Sequence, residues 1–162
     1  MEEIYIETGP VAFTSAGIKN PKIGTEGKFS LWFLAALALA EGNVTLERFT
    51  DTKVNDPDLI HLREKVNANL VRELKFGARV TVRMKDGTEY KGFLATPKGN
   101  PANPLSFEEI AKKFRDTAKF AIPKKNIEAL IEKIGSFEKL PDVKEMLSLM
   151  GSKSSVSPVS TG

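Results

Sequence analysis

The run from Leu31 to Ala40, Leu-Trp-Phe-Leu-Ala-Ala-Leu-Ala-Leu-Ala, contains no charged, hydroxyl or amide side chain, and it restricts the fold more than any other stretch. A segment apolar on every face forms a helix that protein must enclose on all sides. From Phe29 to Ala40 it is well short of the roughly 20 apolar residues of a membrane crossing. Glu41-Gly42-Asn43 then ends it with a glycine where a left-handed cap belongs. The reading is the core helix of a soluble domain. Gly24-Thr25-Glu26-Gly27-Lys28-Phe29-Ser30 leads into it. Lys28 and Ser30 are expected in its first turn, beside free backbone N–H groups and the positive end of the helix dipole, which is an anion site in outline. The pattern matches no phosphate-loop spacing, and taken alone it is explained more simply by a solvated lysine beside a capping serine.

A chain of 162 residues with ordinary globular composition points to one domain. The net charge of +3 is a small surplus spread along the chain rather than a basic patch, which argues against nucleic acid as a partner. There is no cysteine and a single histidine, so disulfide frameworks and thiolate zinc sites are excluded. Met1-Glu2-Glu3-Ile4 lacks the basic and apolar regions of a signal peptide, and a cytoplasmic, non-membrane protein is expected.

Along the chain, Ile4, Ile6 and Thr8 alternate with Glu3, Tyr5 and Glu7, which predicts a half-buried strand stopped by Gly9-Pro10. Glycines, Asn20 and Pro21 predict an irregular loop from Val11 to Gly24. After Gly42, the pattern Val44, Leu46, Phe49, Val54 suggests a short helix or turn. Asn55-Asp56-Pro57 predicts another helix, with Asp56 as N-cap and Pro57 in the first position. Residues 79–85 alternate, Asp86-Gly87 supplies a two-residue turn, and 88–95 continue extended, which makes a hairpin. A strand over 66–71 is expected beside it. The prolines of 97–104 predict a structured loop or a linker. Ser106 with Glu109 forms a capping box for a helix ending near Lys119, and 126–134 and 141–150 read as two further helices. The expected fold class is α+β: a small antiparallel sheet packed on a buried long helix, with short helices toward the C-terminus. The domain is expected to cover 1–150, with 151–162, rich in Ser, Gly and Pro, as a disordered tail.

Other chemistry-bearing residues have structural readings. His61 falls off the stripe Leu59, Leu62, Val66 and reads as a surface histidine. Asp56 is explained by capping, so Asp56 and Asp58 do not make a carboxylate pair. Glu108-Glu109 and Lys112-Lys113 read as ion pairs on a wet helix face. Lys98, Gly99 and Asn100 belong either to a rigid surface loop or to a segment reaching over a ligand. No nucleophile with its base and no metal cluster emerges.

Five motifs occur in order: Gly24-Thr25-Glu26-Gly27-Lys28-Phe29-Ser30-Leu31 before an Ala/Leu helix; Phe49-Thr50-Asp51 with Asn55-Asp56-Pro57; Val80-Thr81-Val82 with Lys85-Asp86-Gly87; Lys98-Gly99-Asn100-Pro101; and Asn103-Pro104-Leu105-Ser106 before Lys113-Phe114. From about Ile4 to Met150 they resemble the C-terminal domain of the MmgE/PrpD family, which includes 2-methylcitrate dehydratase, cis-aconitate decarboxylase and iminodisuccinate epimerase. The resemblance implies an α+β domain that packs on or lids a helical N-terminal domain. It also implies enzymes that act, without metal or cofactor, on small di- and tricarboxylic acids by removing a proton beside a carboxylate. Much of the acid/base machinery then belongs to the helical domain, so this chain is expected to be inactive alone: a separately encoded subunit, a truncated product or one excised domain.

By the same resemblance Lys28, with Ser30 behind it, is implied as a substrate-binding group at the domain interface, and no catalytic residue is assigned. Phe29 departs from the dehydratase and decarboxylase branches, which carry histidine there, and a phenylalanine cannot shuttle a proton. A Lys-Phe-Ser branch is the closer kin. The family implies a homodimer. The rival reading is a non-catalytic module that binds a carboxylate or a protein. A large apolar patch left bare is expected if a helical partner docks.

Overall fold

A computed structural model describes residues 1–150; the expected tail, 151–162, lies outside them. The chain forms two compact units, Met1–Pro104 and the part from Leu105 onward. The fold class is α+β, as the sequence predicts.

In the first unit, β1 (Glu3–Thr8) buries Ile4, Ile6 and Thr8 on one face. It is the second strand of a four-stranded sheet. β2 (Val66–Leu70) pairs with it in parallel, Ile4 facing Val66; β3 (Ala78–Arg83) pairs antiparallel on its other side, and β4 (Glu89–Leu94) lies beyond β3. The sheet is therefore mixed, and the strand expected beside the hairpin is separated from it by β1. The helical crossover between β1 and β2 brings the chain back in the same direction, which is what a parallel pair requires. β1, with Ile4 fully enclosed, takes the interior, whereas every residue of β4 is exposed at the edge.

The hairpin joining β3 to β4 exists, with three loop residues instead of two. Met84 N–H donates to Thr88 O at 2.8 Å, and Gly87 takes a left-handed φ of 84° between them. This is the bulged three-residue connection, fixed here by Asp86 Oδ1 accepting from Thr88 N at 3.0 Å.

The helices of this unit are α1 (Pro10–Ser15), α2 (Gly24–Gly27), α3 (Leu31–Glu41), α4 (Asp51–Val54) and α5 (Pro57–Arg63). α1 occupies part of the stretch expected to be irregular. Pro10 suits a first helical position, and the glycines that suggested a loop lie outside the helix. α5 has the predicted start, with Asp56 as cap and Pro57 first. α3 is the core helix. Trp32, Leu31 and Ala35 pack on Ile4, Ile6 and Val66 of the sheet. Phe33, Ala36 and Leu37 pack on Val54 and Leu59 from α4 and α5. Full burial of side chains such as Phe33 and Leu37 contributes about 1.5–3 kcal/mol each.

The enclosure expected on all sides holds only for the first turns. Ala38, Leu39 and Ala40 are exposed, Leu39 at 47%. The sheet and the α4/α5 pair cover two sides, and the last turn extends past both. Gly42 then ends the helix at φ 71°, its N–H donating to Ala38 O.

Residues 97–104 are structured. Gly99 N–H donates to Asn103 O at 2.9 Å, and Asn103 Nδ2 donates to Thr96 O at 2.9 Å. The second unit holds α6 (Phe107–Ala118), α7 (Lys124–Gly135) and α8 (Lys144–Met150). The capping box forms, Ser106 Oγ accepting from Glu109 N and Glu109 Oε2 from Ser106 N. Ala111, Ala118, Ile127 and Ile131 make the α6–α7 core. Among the described residues no helix is long and apolar enough to cross a membrane.

Candidate functional site

The turn before α3 is held from three directions. Gly24 N–H donates to Asp51 Oδ1 at 2.7 Å. Asn55 Nδ2 donates to Lys22 O and to Asp51 O at 2.9 and 2.8 Å. Lys22 N–H donates to Glu26 Oε2 at 2.6 Å. Gly24 lies so close to the next segment that a β-carbon there would stand 2.3 Å from Phe49 O. Phe49 in turn packs on Phe33 of α3, their ring centroids 6.3 Å apart. The residues Phe49-Thr50-Asp51 and Asn55, distant in sequence from Gly24–Ser30, are thus the clamps that fix its shape.

Lys28 follows the last residue of α2, and its ammonium lies 5.9 Å from the Phe49 ring centroid, exposed to solvent. A cation at that distance from an aromatic face is weakly held, on the order of 0.5–1 kcal/mol at an exposed site. Its side chain is oriented yet remains available to an anion.

Ser30 is the N-cap of α3. It is completely buried, and its Oγ accepts from Phe33 N at 3.1 Å. The structure thus separates two residues that the sequence placed together in one turn. α3 begins at Leu31, so Lys28 precedes the helix. The N–H groups expected to be free are partly occupied: Leu31 N–H donates to Ala16 O at 2.9 Å, and Phe33 N–H to Ser30 Oγ. The structure shows why: Gly27 ends a separate four-residue helix, Lys28 caps it in helical conformation, and the chain is extended by Ser30, which is bridged to Gly17. Lys28 therefore presents its ammonium to solvent ahead of α3, outside the first turn of that helix.

The remaining candidates fall elsewhere. His61 is exposed on α5, and Asp56 Oδ1 accepts from Asp58 N at 3.0 Å, a capping bond. Glu109 serves the capping box, while Glu108 pairs with Arg115 at 2.7 Å. Arg115 also holds Glu128 at 2.9 Å, and this hydrogen bond keeps the Glu128 carboxyl below its ordinary range. Glu41 holds Arg48 and Lys53 at 2.8 and 2.7 Å; the hydrogen bond to Glu41 raises the Lys53 ammonium above its usual value. On the outer sheet face a hollow of about 400 Å³ is lined by Glu3, Arg83, Glu89 and Lys91 among others, but these charges neutralise one another: Arg83 meets Glu3 and Glu89, and Lys91 meets Glu89. Among the described residues no group of three or more His, Asp or Glu could hold a metal ion.

Two features are located only by the structure. Arg63, at the end of α5, is only 8% exposed and lines a small pocket with Lys19, Asn20, Trp32 and Glu64. Its signal was available, because Arg63 stands four residues after the core residue Leu59 and so shares its face. The second is apolar surface at the sheet edge, where Phe76, Tyr90, Phe93 and Leu94 are all more than half exposed. Phe76 and Phe93 line one cavity of about 310 Å³.

These elements define a class: an α+β domain whose helix-entering turn offers a lysine to solvent and whose sheet edge is bare. The sequence pattern of the MmgE/PrpD C-terminal domain matches residues 1–136, and the chain belongs to that family. It is 27% identical over 130 residues to the cis-aconitate decarboxylases of Homo sapiens and Mus musculus, covering 77% of this chain and 27% of each relative. The cis-aconitate decarboxylase-like protein oryM of Aspergillus oryzae is 27% identical over 139 residues, 82% of this chain and 28% of that protein. The chain thus spans about a quarter of the length of these curated relatives.

Proposed function

We propose that this chain is the C-terminal domain or subunit of a lyase or isomerase, a dehydratase, decarboxylase or epimerase, acting on small di- or tricarboxylic acids in the cytoplasm. It works with a helical N-terminal domain or subunit, as a homodimer and without metal or cofactor. Lys28 contacts a substrate carboxylate. Ser30 stands behind it, fixing the start of α3 and with it the turn that carries Lys28. The observation that carries this reading is the Lys28 turn itself: an exposed ammonium on a segment clamped by Asp51, Asn55 and Phe49. A carboxylate held by such a group stays fixed while a base on the helical partner takes the adjacent proton, and the ammonium offsets the negative charge that builds up. The bare edge at Phe76, Tyr90 and Leu94 is suited to a docked partner.

The test is to capture the tagged chain from its own cell extract and assay the complex on a panel of small di- and tricarboxylic acids. The expected result is a mainly helical protein in equal amount, and turnover by the complex but not by the chain alone. Lys28→Ala should lower kcat/KM by roughly 10–100-fold, the value of one charge-assisted contact of about 1.5–3 kcal/mol. Unchanged turnover removes Lys28 from the site. Recovery of the chain alone overturns the split-subunit reading and leaves a truncated product or a carboxylate- or protein-binding module.

A further inference from the structure

Arg63 is a buried cation that makes no ion pair among the described residues. Its Nη1 donates to Pro21 O at a long 3.5 Å. A guanidinium carries five N–H donors, and burying that charge without a partner is costly. Burial pushes its pKa below the usual value, with the neighbouring Glu64 carboxylate opposing the shift.

The donors that Pro21 leaves open are not walled in. Arg63 lines a pocket of about 170 Å³ together with Lys19, Asn20, Trp32 and Glu64. Lys19 adds a second positive charge from an exposed position, and Asn20 adds an amide that can donate. The two cations outnumber the one carboxylate. The floor is rigid, since Trp32 packs in the sheet core and Pro21 is fully buried. At about 30 Å³ per water, the volume corresponds to roughly five or six waters, which suits one small oxyanion and is too small to enclose a nucleotide.

The geometry points to an oxyanion site: Arg63, Lys19 and Asn20 bind a carboxylate or phosphate group against Trp32. The planar fork of Arg63 takes two oxygens of the ligand side by side, and Lys19 closes on the third or on a second carboxylate. This site goes beyond the reading of Lys28, and it stands whether or not Lys28 touches substrate.

Trp32 is the single tryptophan of the chain and reports on the pocket directly. The full-length chain is titrated with malonate and separately with inorganic phosphate, each against sodium chloride of equal ionic strength, following tryptophan emission. The expected result is a saturable change with half-saturation in the roughly millimolar range for at least one of the two, and none with chloride. A response to malonate alone marks a carboxylate site, and a response to phosphate alone a phosphate site. Lys19→Gln, at an exposed position, should weaken binding about tenfold, and Arg63→Gln should abolish saturation while far-UV circular dichroism stays native. Lys85→Gln, in the hairpin loop, should titrate as the parent. The proposal is overturned if neither anion gives a response beyond that of chloride, or if Lys19→Gln binds as the parent does, including the case in which Arg63→Gln fails to fold.

Discussion

Replacing Ser30 with alanine probes the turn at its anchor. The hydroxyl accepts from Phe33 N–H at 3.1 Å at a point with no solvent exposure. Loss of an N-cap typically costs about 1 kcal/mol, with a range of roughly 0.5–2. Burial moves the expectation to the upper half of that range: an unpaired N–H that water cannot reach costs about 1–3 kcal/mol. Ser30→Ala is therefore expected to destabilise the first unit by about 1.5–2 kcal/mol. Ser30→Gly is informative because glycine at an exposed cap costs only a few tenths, since water replaces the hydroxyl. Here it should cost as much as alanine. Urea unfolding followed by Trp32 emission measures the change where it occurs, because the only tryptophan is the second residue of this helix. At a typical 2–4 °C per kcal/mol for a chain of this size, the thermal midpoint should fall by about 3–8 °C. Stability within about 0.3 kcal/mol of the parent for Ser30→Ala would refute the capping assignment. A large cost for alanine with almost none for glycine would refute the claim that water is excluded.

Gly24→Ala brings a β-carbon to 2.3 Å from Phe49 O and 2.8 Å from Thr50 Cα, both backbone atoms that cannot rotate away. It should cost about 1–3 kcal/mol, more than the roughly 0.4–1 kcal/mol that alanine returns by restricting the unfolded chain, and urea midpoints decide the sign. In the second unit, the hydrogen bond from Arg115 lowers the Glu128 pKa in the folded state. Its contribution is complete above the ordinary glutamate value of about 4.3 and disappears as pH falls through the lower folded value. Glu128→Gln should unfold at lower urea than the parent at pH 7, and the two midpoints should converge as the pH falls below the ordinary glutamate value; a gap of constant size would show that the ion pair is not the cause.

Where an element is encoded by local chemistry, it was legible. The capping box at Ser106 and Glu109, the Asp56-Pro57 helix start and the alternation of β1 all arise from neighbours within a few residues. What was missed depends on partners remote in sequence. Nothing near Val66–Leu70 says that its neighbour is β1 rather than the hairpin, because period-two alternation fixes faces but not pairing. Gly27 lies in the stretch that leads into the core helix, and only the pairing of 29–31 with 16–18 shows that it closes a separate short helix. The same displacement put Lys28 outside the first turn of α3. At the candidate site the solvated lysine, Lys28, and the capping serine, Ser30, were legible, since glycine, lysine and serine before an apolar helix carry their own chemistry. Its geometry was not, because Asp51, Asn55 and Phe49 shape it from afar. Arg63 escaped for the opposite reason: an arginine is expected to lie in water, and only its register with Leu59 contradicted that.

The position of β1 inside the sheet bears on how the chain is made. Ile4 lies opposite Val66 on one flank and Val82 on the other, so β1 leaves the ribosome before either of its partners is synthesised. Closing such distant pairs costs chain entropy before any packing compensates it, and long-range pairing of this kind is slow. During that interval the apolar face of α3 that later rests on Ile4 and Ile6 is open to other molecules. β2 has no neighbour in the sheet except β1, so removal of the first eight residues would leave it unpaired and strip the cover from Trp32.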